Sequence, residues 1–259
     1  MSTRIVLITG ANSGVGFATT KVLASSTSPT FQVIMTGRNL AKVNAAKSEL
    51  INDTPNFADR LSVLHLDVTD KGSITAAVEA VKKEYGHLDA LINNAAVGNT
   101  SPDTQTRFRA SFEVNVTGPA TVADAFRPLL LASPTKSPYG IYVSSGAGSL
   151  SRLEASIRNP DPNPLPQPPN PNAYMASKAA LNMVALQEWN EFRDQGLKVV
   201  AMTPGFVVSN LRGESEELRS GWGKAGDPTV SGNLILSILK GERDHDLGKF
   251  VKKDGVYGW

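Results

Sequence analysis

The chain has 259 residues, of which 41% are hydrophobic and 19% are charged, and its formal net charge is +2. These values are typical of a globular protein and exclude a disordered chain. No block of five basic residues occurs, so we expect no nucleic-acid partner. With no cysteine and three widely separated histidines, no disulfide and no metal site is predicted. No apolar run approaches the roughly eighteen residues of a membrane span, so we expect no membrane partner and a cytoplasmic location.

Strands and helices are predicted to alternate along the chain. Apolar runs predict strands at residues 4–10, 31–37, 61–68, 88–96, 139–146 and 197–205, and a short seventh strand at 248–255. Helical spacing of apolar residues predicts helices at 14–26, 40–53, 73–86, 108–132, 173–196 and 227–241, the last with Asp227 as N-cap and Pro228 in its first turn.

The strands are continuous Val/Ile/Leu-rich runs, and segments of helix length separate them. Both features are typical of a parallel sheet that is covered on both faces. The sequence therefore predicts an α/β fold with a Rossmann-like, doubly wound parallel sheet of about seven strands. We expect one domain over residues 1–259.

The segment TGANSGVG, residues 9–16, falls between the first strand and the first helix. Glycines let the backbone approach a pyrophosphate, and the helix N-terminus offers unpaired N–H groups to the anion. A tight turn without a ligand would look the same, but the strand–turn–helix context favours a dinucleotide.

The end of the second strand bears on which dinucleotide is used. An acidic residue there would bind the ribose hydroxyls of NAD, but the sequence reads MTGRN, with Arg38 and no acid. A guanidinium suits a 2′-phosphate, whereas a carboxylate would repel it. The alternative is a solvated loop arginine. We expect NADP, with NADPH preferred over NADH.

Several motifs occur in one order along nearly the whole chain: TGANSGVG, LDV, NNAA, NVTG, VSSG, YMASK and PGFVVS. In this set the sequence resembles the classical branch of the short-chain dehydrogenase/reductase family. Two motifs depart from the family pattern, since Ala96 replaces a glycine and Ser209 a threonine. Ser13 stands where the extended, epimerase-like branch has glycine. The tail GKFVKKDGVYGW loosely resembles small carbonyl reductases of the sniffer and C-factor type.

The resemblance implies a set of catalytic residues: Asn115, Ser145, Tyr174 and Lys178. Tyr174 would donate the proton to a carbonyl oxygen, and Ser145 would hydrogen-bond that oxygen. Lys178 lies four residues after Tyr174 on one helix face, so its charge is expected to lower the pKa of the phenol. Asn115 would hold a water that links Lys178 to solvent.

The resemblance also implies the cofactor contacts. We expect them at Gly10, Asn12, Ser13, Gly14, Val15, Gly16, Arg38, Asn39, Asp67, Val68, Asn94, Ala95, Ala96, Tyr174, Lys178, Pro204, Gly205, Val207 and Ser209.

Two further segments are expected to border the substrate: a proline-rich insertion that departs from the family pattern, and a lid that follows it. Tyr174 follows Ser145 by 29 residues, an unusually long separation for the family. The excess is a proline-rich insertion at about residues 151–172, in which 159–171 carries seven prolines. We interpret it as a semi-rigid flap beside the substrate, with partner docking through PQPP as the alternative. Residues 206–226 resemble the family's substrate-binding lid; Trp222 there either contacts substrate or only docks the lid.

The implied catalytic residues and cofactor contacts favour an NADPH-dependent reductase of a ketone or aldehyde, with hydride from the nicotinamide and a proton from Tyr174. The alternatives are an alcohol dehydrogenase that works in the oxidative direction and a dinucleotide sensor without activity. Family members often form homodimers or homotetramers, and a bulky insertion can block such surfaces, so the oligomeric state stays open, a monomer included.

Overall fold

A single eight-stranded sheet forms the centre of the molecule. The computed structural model describes residues 3–98 and 100–259. The strands are β1 (Arg4–Ile8), β2 (Phe31–Gly37), β3 (Leu61–His65), β4 (Ala90–Asn93), β5 (Tyr139–Val143), β6 (Lys198–Met202), β7 (Phe250–Lys252) and β8 (Gly255–Tyr257). Their order is β3-β2-β1-β4-β5-β6-β7-β8, and every pair is parallel except β7 and β8. The order reverses between β1 and β4, where doubly wound sheets bind ligands.

Helices cover both faces of the sheet. They are α1 (Gly14–Ser25), α2 (Leu40–Asp53), α3 (Lys71–Tyr85), α4 (Thr104–Phe112), α5 (Gly118–Leu131), α6 (Leu150–Arg158), α7 (Asn172–Phe192), α8 (Glu216–Arg219) and α9 (Thr229–Leu239). Alternate strand residues pack into two apolar clusters. One cluster joins the sheet to α1, α2 and α9, and the other joins it to α3, α5 and α7. The predicted α/β fold with a doubly wound sheet is confirmed.

The sheet has one strand more than the sequence predicts. After the turn at residues 253–254 the chain returns as β8, antiparallel to β7. Trp259 then stacks on Phe250, with ring centroids 6.0 Å apart. Such a three-residue edge strand is too short for a clear apolar run, so its sequence signal is weak.

Three helical segments also differ from the prediction. The helix expected over 108–132 is instead α4, a π-helical turn at Glu113–Thr117, and α5. Helix α9 begins at Thr229, with Pro228 rather than Asp227 at the cap position, although the Asp227 carboxylate accepts a hydrogen bond from the Thr229 N–H at 2.8 Å. Helix α6 was not predicted at all, and it occupies the first part of the proline-rich insertion.

Within residues 3–98 and 100–259, no helix combines the length and the apolar character that crossing a membrane requires.

Candidate active site

The turn from β1 into α1 is tightly packed. Gly10 and Gly14 have φ of +66° and +53°, which favour glycine. A Cβ added at Gly16 would lie 2.4 Å from the Gly10 carbonyl oxygen and 2.6 Å from Asn94 Nδ2. Ser13 is the N-cap of α1, but its side chain makes no capping hydrogen bond, so the first N–H groups of the helix stay available to a ligand.

The end of β4 is fixed against this turn. The Thr9 hydroxyl oxygen accepts hydrogen bonds from the N–H groups of Asn94 and Ala95, at 2.9 and 3.0 Å. Asn94 Nδ2 donates to the carbonyl oxygens of Thr9 and Gly10 at 2.8 and 3.0 Å. Ala96 does not have the left-handed backbone that would require the glycine usual in the family, so the alanine fits.

The ends of β2 and β3 lie side by side, at the same carboxyl edge of the sheet as the turn from β1 into α1 (the glycine turn) and the end of β4. We call the region along this edge the cleft. Arg38 is exposed, and its charge is one of the influences that lower the pKa of Asp67 against the opposing effect of burial. Asp67 Oδ1 accepts from the N–H and hydroxyl of Thr69, while Val68 packs against Gly118. The predicted contacts Arg38 and Asp67 therefore lie close enough to influence each other, and Val68 follows Asp67 in the chain.

Two neighbours of Arg38 have structural roles. The Asn39 side chain caps α2 by accepting from the Lys42 N–H at 3.0 Å, so its oxygen already has a partner. His65 is exposed. Its ring bridges Ser73 Oγ and the Arg38 carbonyl oxygen, each at 3.2 Å. It thereby ties the loop after β2 to α3.

The segment after β6 returns to the glycine turn. A Cβ on Gly14 would lie 3.1 Å from Ser209 Cβ, so the last residue of the PGFVVS motif borders the first helix. Pro204 and Gly205 lead into this segment, and Val207 is buried. Of these four predicted contacts Ser209 borders the glycine turn, and the other three lie in the segment that leads to it.

The predicted lid, residues 206–226, is closed at its base and folded across the cleft. Gly226 and Val208 join its two ends through backbone hydrogen bonds of 2.9 Å. The Leu211 carbonyl oxygen would lie 2.7 Å from a Cβ on Gly98, just beyond β4. At its other side, Glu214 pairs with Lys42 of α2 at 3.6 Å. The lid therefore spans the distance between the loop after β4 and α2.

Asn115 lies in the π-helical turn and is fully buried. Its Oδ1 accepts from the Val97 N–H at 2.8 Å, and its Nδ2 donates to the Val97 carbonyl oxygen and to Ser177 Oγ at 2.9 and 3.0 Å. Ser177 Oγ donates to the Tyr174 carbonyl oxygen at 2.7 Å. The Asn115 side chain thus fixes the loop after β4 against the turn of α7 that carries Tyr174. That it binds a water stays a prediction.

The two serines after β5 have different environments. Ser144 is buried, and its hydroxyl donates to the Lys178 carbonyl oxygen at 3.2 Å. Ser145 is half-buried, accepts from the Ala147 N–H at 3.2 Å, and interacts with the Tyr174 phenol. The geometry therefore favours Ser145, as predicted, as the serine that reaches a substrate.

Tyr174 and Lys178 lie on one face of α7, with the Lys178 Nζ 5.8 Å from the Tyr174 ring centroid. Burial raises the pKa of Tyr174 to about 12, against the lowering influences of Ser145 and the Arg212 charge. Part of the tyrosine stays accessible from the cleft. The sequence predicted that Lys178 lowers the pKa of Tyr174. That prediction is wrong in direction, because burial raises the pKa, and the charge that acts on the phenol is Arg212 rather than Lys178.

The Lys178 side chain is also buried, and its Nζ donates to the Val143 carbonyl oxygen at 2.8 Å. With no carboxylate in contact among the described residues, burial lowers the pKa of Lys178 to about 7. Burial without a charged partner therefore brings the pKa of Lys178 close to neutral pH.

Comparison with known proteins agrees with this geometry. Residues 4–157 match the family model described as short chain dehydrogenase. Over 97% of the chain and 96% of the relative, 36% of residues are identical to the short-chain dehydrogenase/reductase tropE of Talaromyces stipitatus. The chain belongs to the short-chain dehydrogenase/reductase family. The family resemblance seen in the sequence is thereby confirmed, and the protein is an oxidoreductase by family.

Two further relatives have more specific names. The (+)-neomenthol dehydrogenase of Arabidopsis thaliana is 29% identical, with 80% of this chain and 84% of the relative covered. The crystal structure of an NADPH-bound carbonyl reductase from chicken fatty liver superposes with a TM-score of 0.81 at 27% identity, and it covers 100% of both chains.

Short-chain dehydrogenases/reductases use nicotinamide dinucleotides, and the turn described above fits one. At Gly16 a side chain would meet backbone, and the uncapped N-terminus of α1 offers N–H groups to a pyrophosphate. In the described part of the chain, no cluster of three or more His, Cys, Asp or Glu side chains is arranged to hold a metal ion.

Two arginines that the sequence did not predict as site residues also lie at the site. Arg107 of α4 is buried and bonds Asn172, at the start of α7, together with the carbonyl oxygen of Pro102. Arg212 lies in the lid, and its charge acts on Tyr174. No motif or periodicity singles out either residue. Ser177 could have been predicted as a site residue, since it lies inside the YMASK segment.

Proposed function

We propose that the protein reduces a ketone or aldehyde with NADPH. The observation that carries the proposal is the cleft in which Tyr174, Ser145 and Lys178 meet beside the glycine turn, with Arg38 at its far end. NADPH would supply hydride to the carbonyl carbon and leave as NADP⁺. Gly10, Asn12, Ser13, Gly14, Val15, Gly16, Asn94, Ala95, Ala96 and Ser209 are the residues proposed to border it.

Arg38 supports the phosphorylated cofactor. It is exposed at the end of β2, where a 2′-phosphate would find a guanidinium and no carboxylate at residues 37–39. The NADPH in the related chicken carbonyl reductase agrees with this assignment. A pool of reduced NADP favours reduction over oxidation, so we assign the reductive direction.

The residues of this chain supply the proton. With a pKa of about 12, the Tyr174 phenol keeps its proton at neutral pH and can donate it as negative charge develops on the carbonyl oxygen. The Ser145 hydroxyl donates a second hydrogen bond to that oxygen. Lys178, with a pKa of about 7, can pass a proton toward the phenolate. Asn115 positions the helix turn that carries Tyr174.

One experiment tests the proposal: oxidation of NADPH and NADH is followed with a panel of ketones, aldehydes and quinones. We expect turnover with NADPH, and we expect Tyr174→Phe to lose about 10²- to 10⁴-fold in kcat/KM while NADPH affinity is retained. Wild-type turnover by the Phe variant would disprove the proton-donor role. Tight NADPH binding without turnover of any carbonyl would favour a sensor. Cytoplasmic location and assembly as a dimer or tetramer stay predictions.

A further inference from the structure

The lid contains one cation that is fixed in place but not neutralised. Arg212 Nε donates to the Leu218 carbonyl oxygen at 2.9 Å, and Nη2 donates to those of Val207 and Arg219 at 2.9 and 2.8 Å. The guanidinium also lies 4.6 Å from the Phe206 ring centroid. A guanidinium has five N–H groups, and these bonds use three of them. The two N–H groups of Nη1 donate to no other described residue.

The neighbouring acids do not neutralise Arg212. Three glutamates follow it within five residues, yet Glu214 pairs with Lys42 and Glu216 pairs with Arg219. Within the described part of the chain no carboxylate forms an ion pair with Arg212. Carbonyl oxygens orient the guanidinium but leave its full charge, and a half-buried cation without a counter-ion attracts an anion strongly.

The position of Arg212 connects this cation with the reacting group. The preceding residue, Leu211, lies against Gly98, and Val97 beside it is held by Asn115. Arg212 and Tyr174 act on each other electrostatically: the guanidinium lowers the pKa of the phenol, and the phenol acts to raise the pKa of Arg212, which burial lowers. The lid thus contacts the loop that Asn115 ties to the turn of α7 carrying Tyr174, and the fixed charge of Arg212 acts on the proton donor.

We propose that Arg212 is a specificity-determining residue that binds an anionic oxygen of the substrate, a carboxylate or an acidic phenol, through Nη1. This inference rests on the proposed function and narrows its substrate class to carbonyl compounds that carry such a group. Because Nε and Nη2 already donate to backbone carbonyls, Nη1 would hydrogen-bond one oxygen of the anion rather than take part in a bidentate pair with a carboxylate. A neutral carbonyl compound would leave the cation unpaired.

The test compares meta-acetylbenzoate with its methyl ester, two ketones that differ in one negative charge. Binding to the NADP⁺-loaded protein is measured by calorimetry, and kcat/KM is measured with NADPH. We expect the acid to be preferred, and Arg212→Gln to weaken acid binding by about 10- to 100-fold while the ester changes less than about threefold, as charge-assisted hydrogen bonds of this kind contribute. Arg212→Lys should keep part of the preference.

Arg219→Gln is the matched control, because Arg219 lies in the same lid with its side chain exposed and paired to Glu216. It should leave both ligands unaffected. An equal loss for acid and ester in Arg212→Gln would overturn the proposal and leave Arg212 as a residue that only shapes the lid. A weaker NADPH affinity with an unchanged acid preference would assign the anion to the cofactor and overturn it equally.

The binding measurement separates this inference from the proposed function. If no carbonyl compound of the panel is reduced, these two ketones included, the reductase proposal fails, while calorimetry with the acid, the ester and Arg212→Gln still decides whether Arg212 binds the anion.

Discussion

The turn between β1 and α1 and the segment between Ser145 and Tyr174 border the same cleft, but they are packed in opposite ways. At Gly16 there is no room even for a methyl group. In α6 no residue is buried, and Leu150 and Ile157 are 65% and 72% exposed. After α6, residues 159–171 form neither helix nor strand. A cofactor common to a whole family requires a fixed cradle, whereas substrates differ between its members.

The largest effect is expected from Gly16→Ala. The new Cβ would collide with the Gly10 carbonyl oxygen and with Asn94 Nδ2, neither of which can move without breaking the bonds between β1 and β4. We expect NADPH affinity to fall by at least about 100-fold and the free energy of unfolding to drop by about 1–3 kcal/mol. Equilibrium binding by fluorescence and urea denaturation measure the two effects.

Gly86→Ala is the control for lost stability alone. Gly86 ends α3 with φ of +75°, and an added Cβ would have nothing within 4 Å. Backbone strain should cost about 1 kcal/mol there, while NADPH affinity stays at the wild-type value. If both variants bind NADPH as the wild type does, the glycine turn is not the cofactor cradle.

The same contrast explains how much could be predicted from sequence. The central strand runs are continuous and apolar because both faces of the sheet are covered, so the fold class and seven of the eight strands could be predicted. The cleft residues next to strand ends followed from the motifs. Helix α6 has a usable signal, with Ser149 as N-cap and Leu150, Leu153 and Ile157 at helical spacing, but the prolines that follow dominated the interpretation.

Two features of the site had no such local signal. The π-helical turn at Glu113–Thr117 adds one residue to a helix turn and leaves the periodicity of its neighbours almost unchanged. Arg212 acquires its position from a lid that is largely irregular, and its three hydrogen-bond partners are backbone carbonyls, which any sequence provides. The pKa of Tyr174 also depends on burial, which spacing alone does not reveal.

A smaller effect is expected at the end of β2, where Arg38→Ala tests whether the arginine binds the 2′-phosphate of NADPH. Loss of a charge-assisted hydrogen bond should weaken NADPH binding by about 10- to 100-fold and leave NADH binding unchanged. Arg158→Ala is the matched control, since that exposed arginine pairs with Glu154 on α6. An equal loss for both cofactors in Arg38→Ala would show that the arginine supports the loop rather than reading the phosphate.

The smallest effect on cofactor binding is expected in the exposed segment between Ser145 and Tyr174, where deletion of Asn159–Pro171 tests the predicted flap. Helix α7 should keep its position, because Arg107 holds Asn172 and Asn115 holds Ser177 without help from the deleted residues. Loop-closure entropy predicts a change in stability below about 1 kcal/mol. NADPH affinity should therefore stay within about twofold, while KM shifts unequally across a carbonyl panel. Unchanged KM values for every substrate would contradict a flap and favour the alternative, in which PQPP docks a partner.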